Sequence, residues 1–392
     1  MPEHVPTSFS IAELEAFLFR APADPPVQTS FGVMRDRPAL LLRVTDRDGA
    51  HGWGEVWCNF PVVGAEHRAR LALAYLRPLV RAQAWESPAQ CFAQLSAKLH
   101  VLAIQSGEPG PLQQVVAGLD VALWDMLARR AGLPLWKLLA AEGAAADAAP
   151  MPIPVYASGL NPTAPERLAA RKLEEGFHAF KLKVGFGAAR DDANLQAMRE
   201  TIGAATPFMV DANQAWDLPQ AIEAGRRMAR HDLGWLEEPI PADSAPAQWA
   251  QLAAAQPLAL AGGENLAGAA QFRDFIEGEG LSVLQPDIGK WGGFSGCVEV
   301  GRATLRRGKR FCPHWLGGGI GLTASFHLKA AVGGPGYVEV DANPNPLREL
   351  LAAPAFVLED GCVRLSERPG LGVEPDLAAC RDWRIKLSSF DD

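Results

Sequence analysis

Hydrophobic and polar positions follow one rhythm in the first third of the chain and another after it. Residues 9–19 and 39–45 are apolar and rich in β-formers, and the second run reaches Gly52–Val56 through a turn at Asp48-Gly49, a hairpin signal. Stretches of helical length, rich in Ala, Leu and Arg, follow at 65–80, 87–103 and 112–131. In the last, Val115, Val116, Leu119, Ala122, Leu123, Met126 and Leu127 recur at helical spacing, and Gly132 and Pro134 end the pattern. Strands followed by segregated helices predict an α+β domain over 1–139. The Ala-, Gly- and Pro-rich segment 140–154 reads as a linker.

Beyond it, short apolar runs recur at 153–157, 179–184, 207–212, 234–237, 257–262, 281–285, 310–313 and 336–340. Polar–apolar stretches of helical length lie between them, among others at 164–175, 190–203, 217–231 and 293–307. Strands alternating with helices make βαβ units on a parallel sheet, so the fold class is α/β. Eight such runs fit a closed TIM-type barrel over 150–342, with its active site where the strands end. An open doubly wound sheet is weakened by the missing G-x-G-x-x-G after the first run. A last apolar pair, 356–358 and 362–365, flanks Asp360-Gly361, and 343–392 is expected to pack back on the N-terminal domain.

Composition narrows the functional classes without choosing among them. A 392-residue chain exceeds one hydrophobic core, which agrees with two domains. The net charge of −8 gives no electrostatic reason to expect nucleic acid or an anionic membrane as partner. No apolar run reaches the ~20 residues that span a bilayer, and Met1–Ser10 lacks the features of a signal peptide. The six cysteines (58, 91, 297, 312, 362 and 380) are scattered without a C-x-x-C pair, as in a reduced, cytoplasmic protein.

The chemistry lies in what ends each barrel run. The runs close with Lys181-Leu-Lys183, Asp211-Ala-Asn213, Glu237-Glu238-Pro239, Gly263-Glu264-Asn265, Pro286-Asp287, Pro313-His314 and Glu339-Val-Asp341. From Lys183 onward these groups recur every 23 to 28 residues, one βα unit each time, so all should meet at one mouth of the barrel. Three carboxylates converging there, Asp211, Glu237 and Glu264, repel one another unless a cation compensates. Oxygen-only donors suit a hard ion, Mg²⁺ before Zn²⁺. Glu237 and Glu238 point to opposite faces of a strand, and the pattern does not say which faces inward.

Lys181 and Lys183, two apart in a strand, share a face. Two inward amines beside a divalent ion should lower each other's pKa towards the range useful to a general base. Asp287 and His314 end adjacent strands, so a carboxylate can hold one imidazole nitrogen and leave the other free to move a proton. Glu339 either hydrogen-bonds a developing enolate oxygen or is an ion-paired strand end. Gly317–Gly321 is either a phosphate cradle or, more simply, a flexible loop passing close to the site. Trp57, Asn59 and Phe60, just after the first hairpin, belong to a loop that could reach over the barrel.

K-x-K at 181–183, D-x-N at 211–213, W-L-E-E-P at 235–239, G-E-N at 263–265 and P-D-x-x-K-x-G-G at 286–293 resemble the mandelate racemase subgroup of the enolase superfamily. P-H at 313–314 and P-G-L-G at 369–372 agree with it. The resemblance implies a (β/α)₇β barrel with an α+β N-terminal capping domain completed by the C-terminal tail, and homo-oligomers are common in such proteins. It implies that Asp211, Glu237 and Glu264 hold Mg²⁺, with Glu237 rather than Glu238 facing inward. Lys183 becomes the base on one substrate face and Lys181 neutralises the substrate carboxylate. His314, oriented by Asp287, is the acid/base on the other face, Glu339 hydrogen-bonds the enediolate and Asn213 contacts substrate. The muconate-cycloisomerase-like subgroup has lysine in place of Asp287, so neither cycloisomerisation nor dipeptide epimerisation is expected, and Lys290, three residues on, is not a replacement.

The expected reaction is Mg²⁺-dependent removal of the proton α to a carboxylate. Dehydration of an acid sugar or hydroxydiacid to a 2-keto-3-deoxy acid is favoured, with racemisation or epimerisation of a 2-hydroxy acid as the alternative. A non-catalytic metal- or ligand-binding barrel is the remote one. Substrate choice is expected to lie in Pro25–Gly32 and Trp57–Gly64, with Trp315 contributing from the barrel.

Overall fold

The computed structural model describes residues 7–140, 151–354 and 356–387, so most of the proposed 140–154 linker lies outside the described residues. The first half is an antiparallel sheet under a layer of helices. Strands β1 (Phe9–Thr29) and β2 (Gly32–Asp46) form a long hairpin, and β3 (His51–Val56) pairs with β2. At the β2–β3 turn the Asp46 carboxylate accepts from the amides of Asp48 and Ala50, both at 2.9 Å, and Gly49 takes φ 88°. An Asx turn with a left-handed glycine is the local reason this hairpin closes here.

Helices α1 (Gly64–Leu71) and α2 (Arg77–Arg81) follow, then a two-residue strand β4 (Ala84–Trp85) and α3 (Pro88–Ser106). The layer ends with α4 (Pro109–Arg130) and α5 (Leu135–Leu139). Helix α4 is buried on almost every side from Gln114 to Ala128, because sheet, α3 and barrel all press on it. Its approach to β3 is so close that side chains are excluded. A Cβ on Gly54 would lie 2.0 Å from the Gly118 carbonyl, and one on Gly52 would lie 2.2 Å from that of Ala122.

Eight parallel strands then build the barrel: β5 (Ile153–Leu160), β6 (Phe180–Lys183), β7 (Phe208–Asp211), β8 (Leu236–Glu237), β9 (Leu260–Gly262), β10 (Val283–Leu284), β11 (Arg310–Phe311) and β12 (Val338–Asp341). They pair in sequence from β5 to β11, and β12 returns to β5. Backbone bonds Phe311 N–H to Pro335 and Glu339 N–H to Pro313 join the last two and close the ring. The helices between successive strands are α6 (Pro165–Glu174), α7 (Ala188–Ile202), α8 (Leu218–Met228), α9 (Pro246–Ala255), α10 (Ala269–Glu277), α11 (Gly293–Arg306) and α12 (Gly319–Val332). Seven helices and eight strands make a (β/α)₇β barrel.

The tail holds a short helix α13 (Pro346–Leu351), a hairpin of β13 (Leu358–Glu359) and β14 (Cys362–Val363), and β15 (Arg384–Ile385). The hairpin lies elsewhere than the sequence suggested: β14 pairs antiparallel with Ile153 and Pro154 of barrel strand β5. Helix α13 before it packs on β1 and β2, and the chain beyond it also reaches the N-terminal half, where Gly370 bonds Leu133 and Leu135 and β15 pairs with β1. Among the described residues no helix is long and apolar enough to cross a membrane.

Strand periodicity organises the barrel interior. Tyr156, Ala179, Met209, Trp235, Ala261, Val283 and Cys312 form an apolar floor with Tyr337 packed against it. Two residues further along the same strands stand Ser158, Lys181, Asp211, Glu237, Gln285, His314 and Glu339, all buried. Because successive side chains alternate faces, an apolar floor at i places the residue at i+2 directly above it, inside the barrel.

Two carboxylates of the N-terminal half dock it onto this mouth. Glu55 of β3 accepts from Gly318 N–H at 2.6 Å and Gly321 N–H at 2.9 Å, at the start of α12. Asp120 of α4 accepts from the amide and hydroxyl of Ser295, at 3.0 and 2.5 Å, in the first turn of α11. Unpaired amides and the positive end of a helix favour an oxygen acceptor there. Burial nevertheless raises both carboxyls to about 7, outweighing the hydrogen bonds that pull them down. A third link is the buried pair Arg37–Asp341, at 2.5 Å.

Two outcomes follow. Gly54→Ala should lower stability by about 1–3 kcal/mol through overpacking, read as a lower thermal midpoint. Gly32→Ala, whose Cβ meets nothing within 4 Å, should leave the midpoint almost unchanged. Glu55 and Asp120 have folded pKa values above their unfolded ones, so their protonated forms favour folding and that contribution fades as pH rises from the unfolded values to about 7. In denaturant titrations from pH 4.5 to 8, Glu55→Gln/Asp120→Asn should show a flatter decline than the parent.

Candidate active site

The polar layer above the floor is a continuous network. Lys181 places Nζ 2.5 Å from Glu237 Oε1, 3.0 Å from Glu339 Oε1 and 3.8 Å from Asp211 Oδ2, and lies 5.2 Å from the centre of the Tyr156 ring. Lys183 Nζ is 2.5 Å from Asp211 Oδ2. Glu237 also accepts from Gln285 Nε2 at 2.6 Å and Trp235 Nε1 at 3.2 Å. Ser158 Oγ donates to Glu339.

His314 bridges two carboxylates. Its Nδ1 lies 2.6 Å from Asp287 Oδ2, and its Nε2 lies 2.7 Å from Glu264 Oε2 and 3.4 Å from Glu339 Oε2. The other Asp287 oxygen accepts from the amides of Gly289 and Lys290 at 2.8 and 3.0 Å, which locks the carboxylate towards the ring. Burial disfavours the imidazolium, but Glu264, Glu339 and the Asp287 hydrogen bond outweigh it and raise the pKa well above the ordinary value.

Charge is the governing property of the site. Burial raises Glu237 to about 7; Lys181 only partly relieves it, and Asp211, Glu339 and Glu264 add to the rise. Glu238 is also buried, faces Asn265 with oxygens 2.8 and 3.1 Å from its amide, and is raised well above its usual range by burial and by Glu264. Glu264 behaves oppositely: burial pushes it up, but His314, Lys290 and Lys183 hold it well below. Six carboxylates, five of them buried (211, 237, 238, 287 and 339) and Glu264 partly so, thus share three lysines and one histidine.

The lysines differ from the expectation of mutual depression. Burial lowers both, but carboxylates outweigh it: Glu237 and Glu339 raise Lys181 well above its ordinary value, and Asp211 raises Lys183. Each amine is an ammonium with its own acidic partner. Sequence spacing placed the two amines together but could not show which oxygens they meet.

The donor set suits a divalent cation. Asp211 and Glu237 are register partners on adjacent strands, and Glu264 follows the next strand, all offering hard oxygen donors. As they stand, no three His, Cys, Asp or Glu side chains among the described residues form a ready-made ligand group, because Lys181, Lys183, Lys290 and His314 engage them. The shortage of positive charge, expressed in the raised Glu237 and Glu238, is what an ion at 211, 237 and 264 would relieve. Asn213 takes φ 44° and donates twice to Asp211, at 2.8 Å from N–H and 3.2 Å from Nδ2, while its buried Oδ1 has no partner among the described residues.

A cavity of about 240 Å³ opens beside this network, lined by Lys183, Asn213, Glu264 and His314 on the barrel side and Thr29, Phe31, Trp57 and Phe60 from the N-terminal half. Gln214, Asn265, Lys290 and Leu316 complete it. Two residues expected to contact substrate do not line it. Asn59 is turned to the Leu316 carbonyl, and Trp315 is buried against Gly289 and Gly321 with Nε1 bonded to Gly318. Both hold the loops in place, and Leu316 takes the position at the cavity wall. Lys290, set aside in the sequence, reaches the cavity; its P-D-x-x-K spacing was the available signal.

Residues 13–140 match the mandelate racemase/muconate lactonizing enzyme N-terminal domain, and 165–379 match the enolase C-terminal domain-like family. The chain belongs to the mandelate racemase group of the enolase superfamily. It is 54% identical to a mandelate racemase/muconate lactonizing enzyme of Bordetella bronchiseptica RB50 of known structure, covering 96% of this chain and 99% of that one, with a TM-score of 0.89. A racemase from Streptomyces coelicolor with bound magnesium is 28% identical, with 96% and 100% coverage and a TM-score of 0.84. This enolase-superfamily chain is also 35% identical to the L-talarate/galactarate dehydratase of Salmonella typhimurium, over 68% of this chain and 64% of that one. The 3,6-anhydro-α-L-galactonate cycloisomerase of Streptomyces coelicolor is 31% identical, over 93% and 97%. Cycloisomerase is thus the activity named for one relative that is similar over nearly its full length.

Asp287→Asn removes the negative partner of His314 Nδ1 while keeping its size. Histidine-selective NMR titration should show the ring losing its proton at lower pH in the variant than in the parent, with near-native thermal stability.

Proposed function

We propose that this enzyme removes the proton α to the carboxylate of an acid sugar or hydroxydiacid and expels a β-hydroxyl as water, giving a 2-keto-3-deoxy acid. The observation that carries this reading is one small cavity lined by Lys183, Glu264 and His314 together. Asp287 holds His314 Nδ1, and Glu264 and Glu339 raise the ring's pKa well above its ordinary value, which favours the protonated state a general acid needs.

An α-proton beside a carboxylate is much less acidic than an ammonium, and each unit of mismatch costs ~1.36 kcal/mol. The dianionic enediolate therefore forms only where positive charge is placed beforehand. Lys181, buried and pinned between Glu237 and Glu339, supplies a fixed part of that charge. Mg²⁺ held by Asp211, Glu237 and Glu264 would supply the rest, as is general for enolase-superfamily sites. Lys183, an ammonium paired with Asp211 here, reaches the cavity one layer above Lys181 and would take the α-proton only after losing its own, which a cation engaging Asp211 would favour. Glu339, fixed by Ser158 and Lys181, offers its second oxygen to the enediol.

The same pair serves other outcomes. The expelled β-oxygen can belong to a ring, which the cycloisomerase relative favours. Return of the proton to the α-carbon from His314 would give racemisation or epimerisation.

The test is a screen of the Mg²⁺-loaded protein against mono- and diacid sugars and small hydroxy-acids, detecting 2-keto acid as semicarbazone, with proton NMR in D₂O on positives. Keto-acid formation supports dehydration, whereas α-deuterium exchange or an epimer without keto acid moves the reading to a racemase. On the confirmed substrate, Lys183→Ala and His314→Asn should each cut kcat by at least ~10². Glu264→Gln should weaken Mg²⁺ binding and turnover together, and unchanged Mg²⁺ dependence would count against its ligand role.

A further inference from the structure

His314 and Trp315 are consecutive, and His314 forms a parallel β-bridge with Asp287, so the two side chains take opposite faces. The imidazole lines the cavity, while the indole turns away into a buried slot. Its Nε1 donates to the Gly318 carbonyl at 2.9 Å. Three glycines shape the slot. A Cβ on Gly289 would lie 2.6 Å from the indole, one on Gly317 2.5 Å and one on Gly321 2.0 Å. Gly289 belongs to the turn after Asp287, and the other two to the glycine-rich run after His314. That run is well anchored: the Gly318 and Gly321 amides are taken by Glu55, and the carbonyls of Leu316, Gly317 and Gly318 accept from Asn59, Asn345 and Trp315.

The indole therefore packs against both segments that carry the Asp287–His314 pair. One Asp287 oxygen lies 2.6 Å from His314 Nδ1, and the other is held by the Gly289 and Lys290 amides at 2.8 and 3.0 Å. The position of the Gly289 backbone thus sets the direction of the carboxylate. A Cβ at 289 would also lie 3.1 Å from the Trp57 backbone nitrogen, so this turn has little free space beside it. Protein interiors are close-packed, and a shortened side chain leaves a void into which its neighbours relax. A misplacement of about 1 Å in a reacting group can cost ~10² in rate.

We infer that Trp315 is a positioning residue: its indole, held by Gly289, Gly317 and Gly321, spaces the Asp287 turn from the His314 loop and so aligns the imidazole with its carboxylate. What the aligned imidazole does rests on the reaction proposed above, whereas the alignment itself is read without any substrate.

A buried imidazole N–H donated to a carboxylate over 2.6 Å gives a far-downfield proton resonance, which His314→Asn would assign by removing it. In Mg²⁺-loaded protein labelled with ¹⁵N-histidine, Trp315→Phe and Gly321→Ala should each move this resonance upfield or broaden it away. Trp315→Phe, the milder change, decides the matter where Gly321→Ala does not fold. The double variant Gly321→Ala/Trp315→Phe should lie closer to the parent than Gly321→Ala alone, because the ring atoms that the new methyl meets are gone. Gly280→Ala is the control. Its Cβ would lie 2.7 Å from Trp249 Cβ, at the other end of β10 from Asp287, so it should lower the thermal midpoint and leave the resonance in place. On an acid that the screen turns over, Trp315→Phe should lower kcat for product about tenfold or more, with KM within about threefold. Exchange of the α-proton for deuterium, which Lys183 performs, should fall less than about threefold.

A parent protein without the resonance, or a resonance unmoved by Trp315→Phe, overturns the inference. So does an equal shift in Gly280→Ala, or an equal fall in α-exchange and product formation, since the indole would then serve folding in general. A resonance that moves as expected in a protein that turns over none of the acids would leave the positioning role standing and reject the reaction.

Discussion

Six carboxylates cannot share one buried space at neutral pH without compensation, and the barrel is built around that constraint. Like charges in a poorly solvated site drive each other towards protonation. Three lysines and a histidine are threaded among them, Lys181 between Glu237 and Glu339, Lys183 on Asp211, Lys290 on Glu264, and His314 between Glu264 and Asp287. The compensation is incomplete, as Glu237 near 7 shows, and its remainder lies where the strands bring Asp211, Glu237 and Glu264 together. The same excess of negative charge that demands a cation makes the site suited to generating a dianion only beside that cation.

Holding such a network needs a rigid floor and a fixed lid. The floor is the ring of Tyr156, Met209, Trp235 and their neighbours, with Tyr156 and Trp235 packed edge to face at 5.6 Å. The lid is held by Glu55 on α12, Asp120 on α11 and Arg37 on Asp341. These anchors are short and buried, and they join the half that carries Trp57 and Phe60 to the barrel helices flanking His314. Trp57, Phe60 and His314, which line one cavity, are therefore parts of one packed body. Glycine at 52, 54 and 118 is the steric condition for it, since α4 and β3 meet at backbone distance.

The relatives include a dehydratase and a cycloisomerase, and the proposed chemistry has a first step that both outcomes could share. In that proposal enediolate formation would draw on Lys181, Lys183 and the carboxylate set, whatever becomes of the β-oxygen next. The cavity wall that includes Trp57, Lys290, Phe31 and Leu316 comes from several elements distant in sequence.

What the sequence by itself determined is the one-dimensional part. Strand runs ending in ionisable residues at one-unit spacing were enough to place Lys181, Lys183, Asp211, Glu237, Glu264, Asp287, His314 and Glu339 at one mouth, because a βα unit advances the chain by one strand and the pleat repeats every two residues. Only the tertiary structure decided what depends on neighbours across the barrel. It paired each lysine with a carboxylate and so left both charged, turned Glu237 inward over Trp235, and sent the 358–363 hairpin to β5. It withdrew Asn59 and Trp315 from the cavity and brought Lys290 to it. Loop side chains have no strand register to constrain them, and a pKa is set by oxygens contributed from several strands at once, so neither can be read along a single segment.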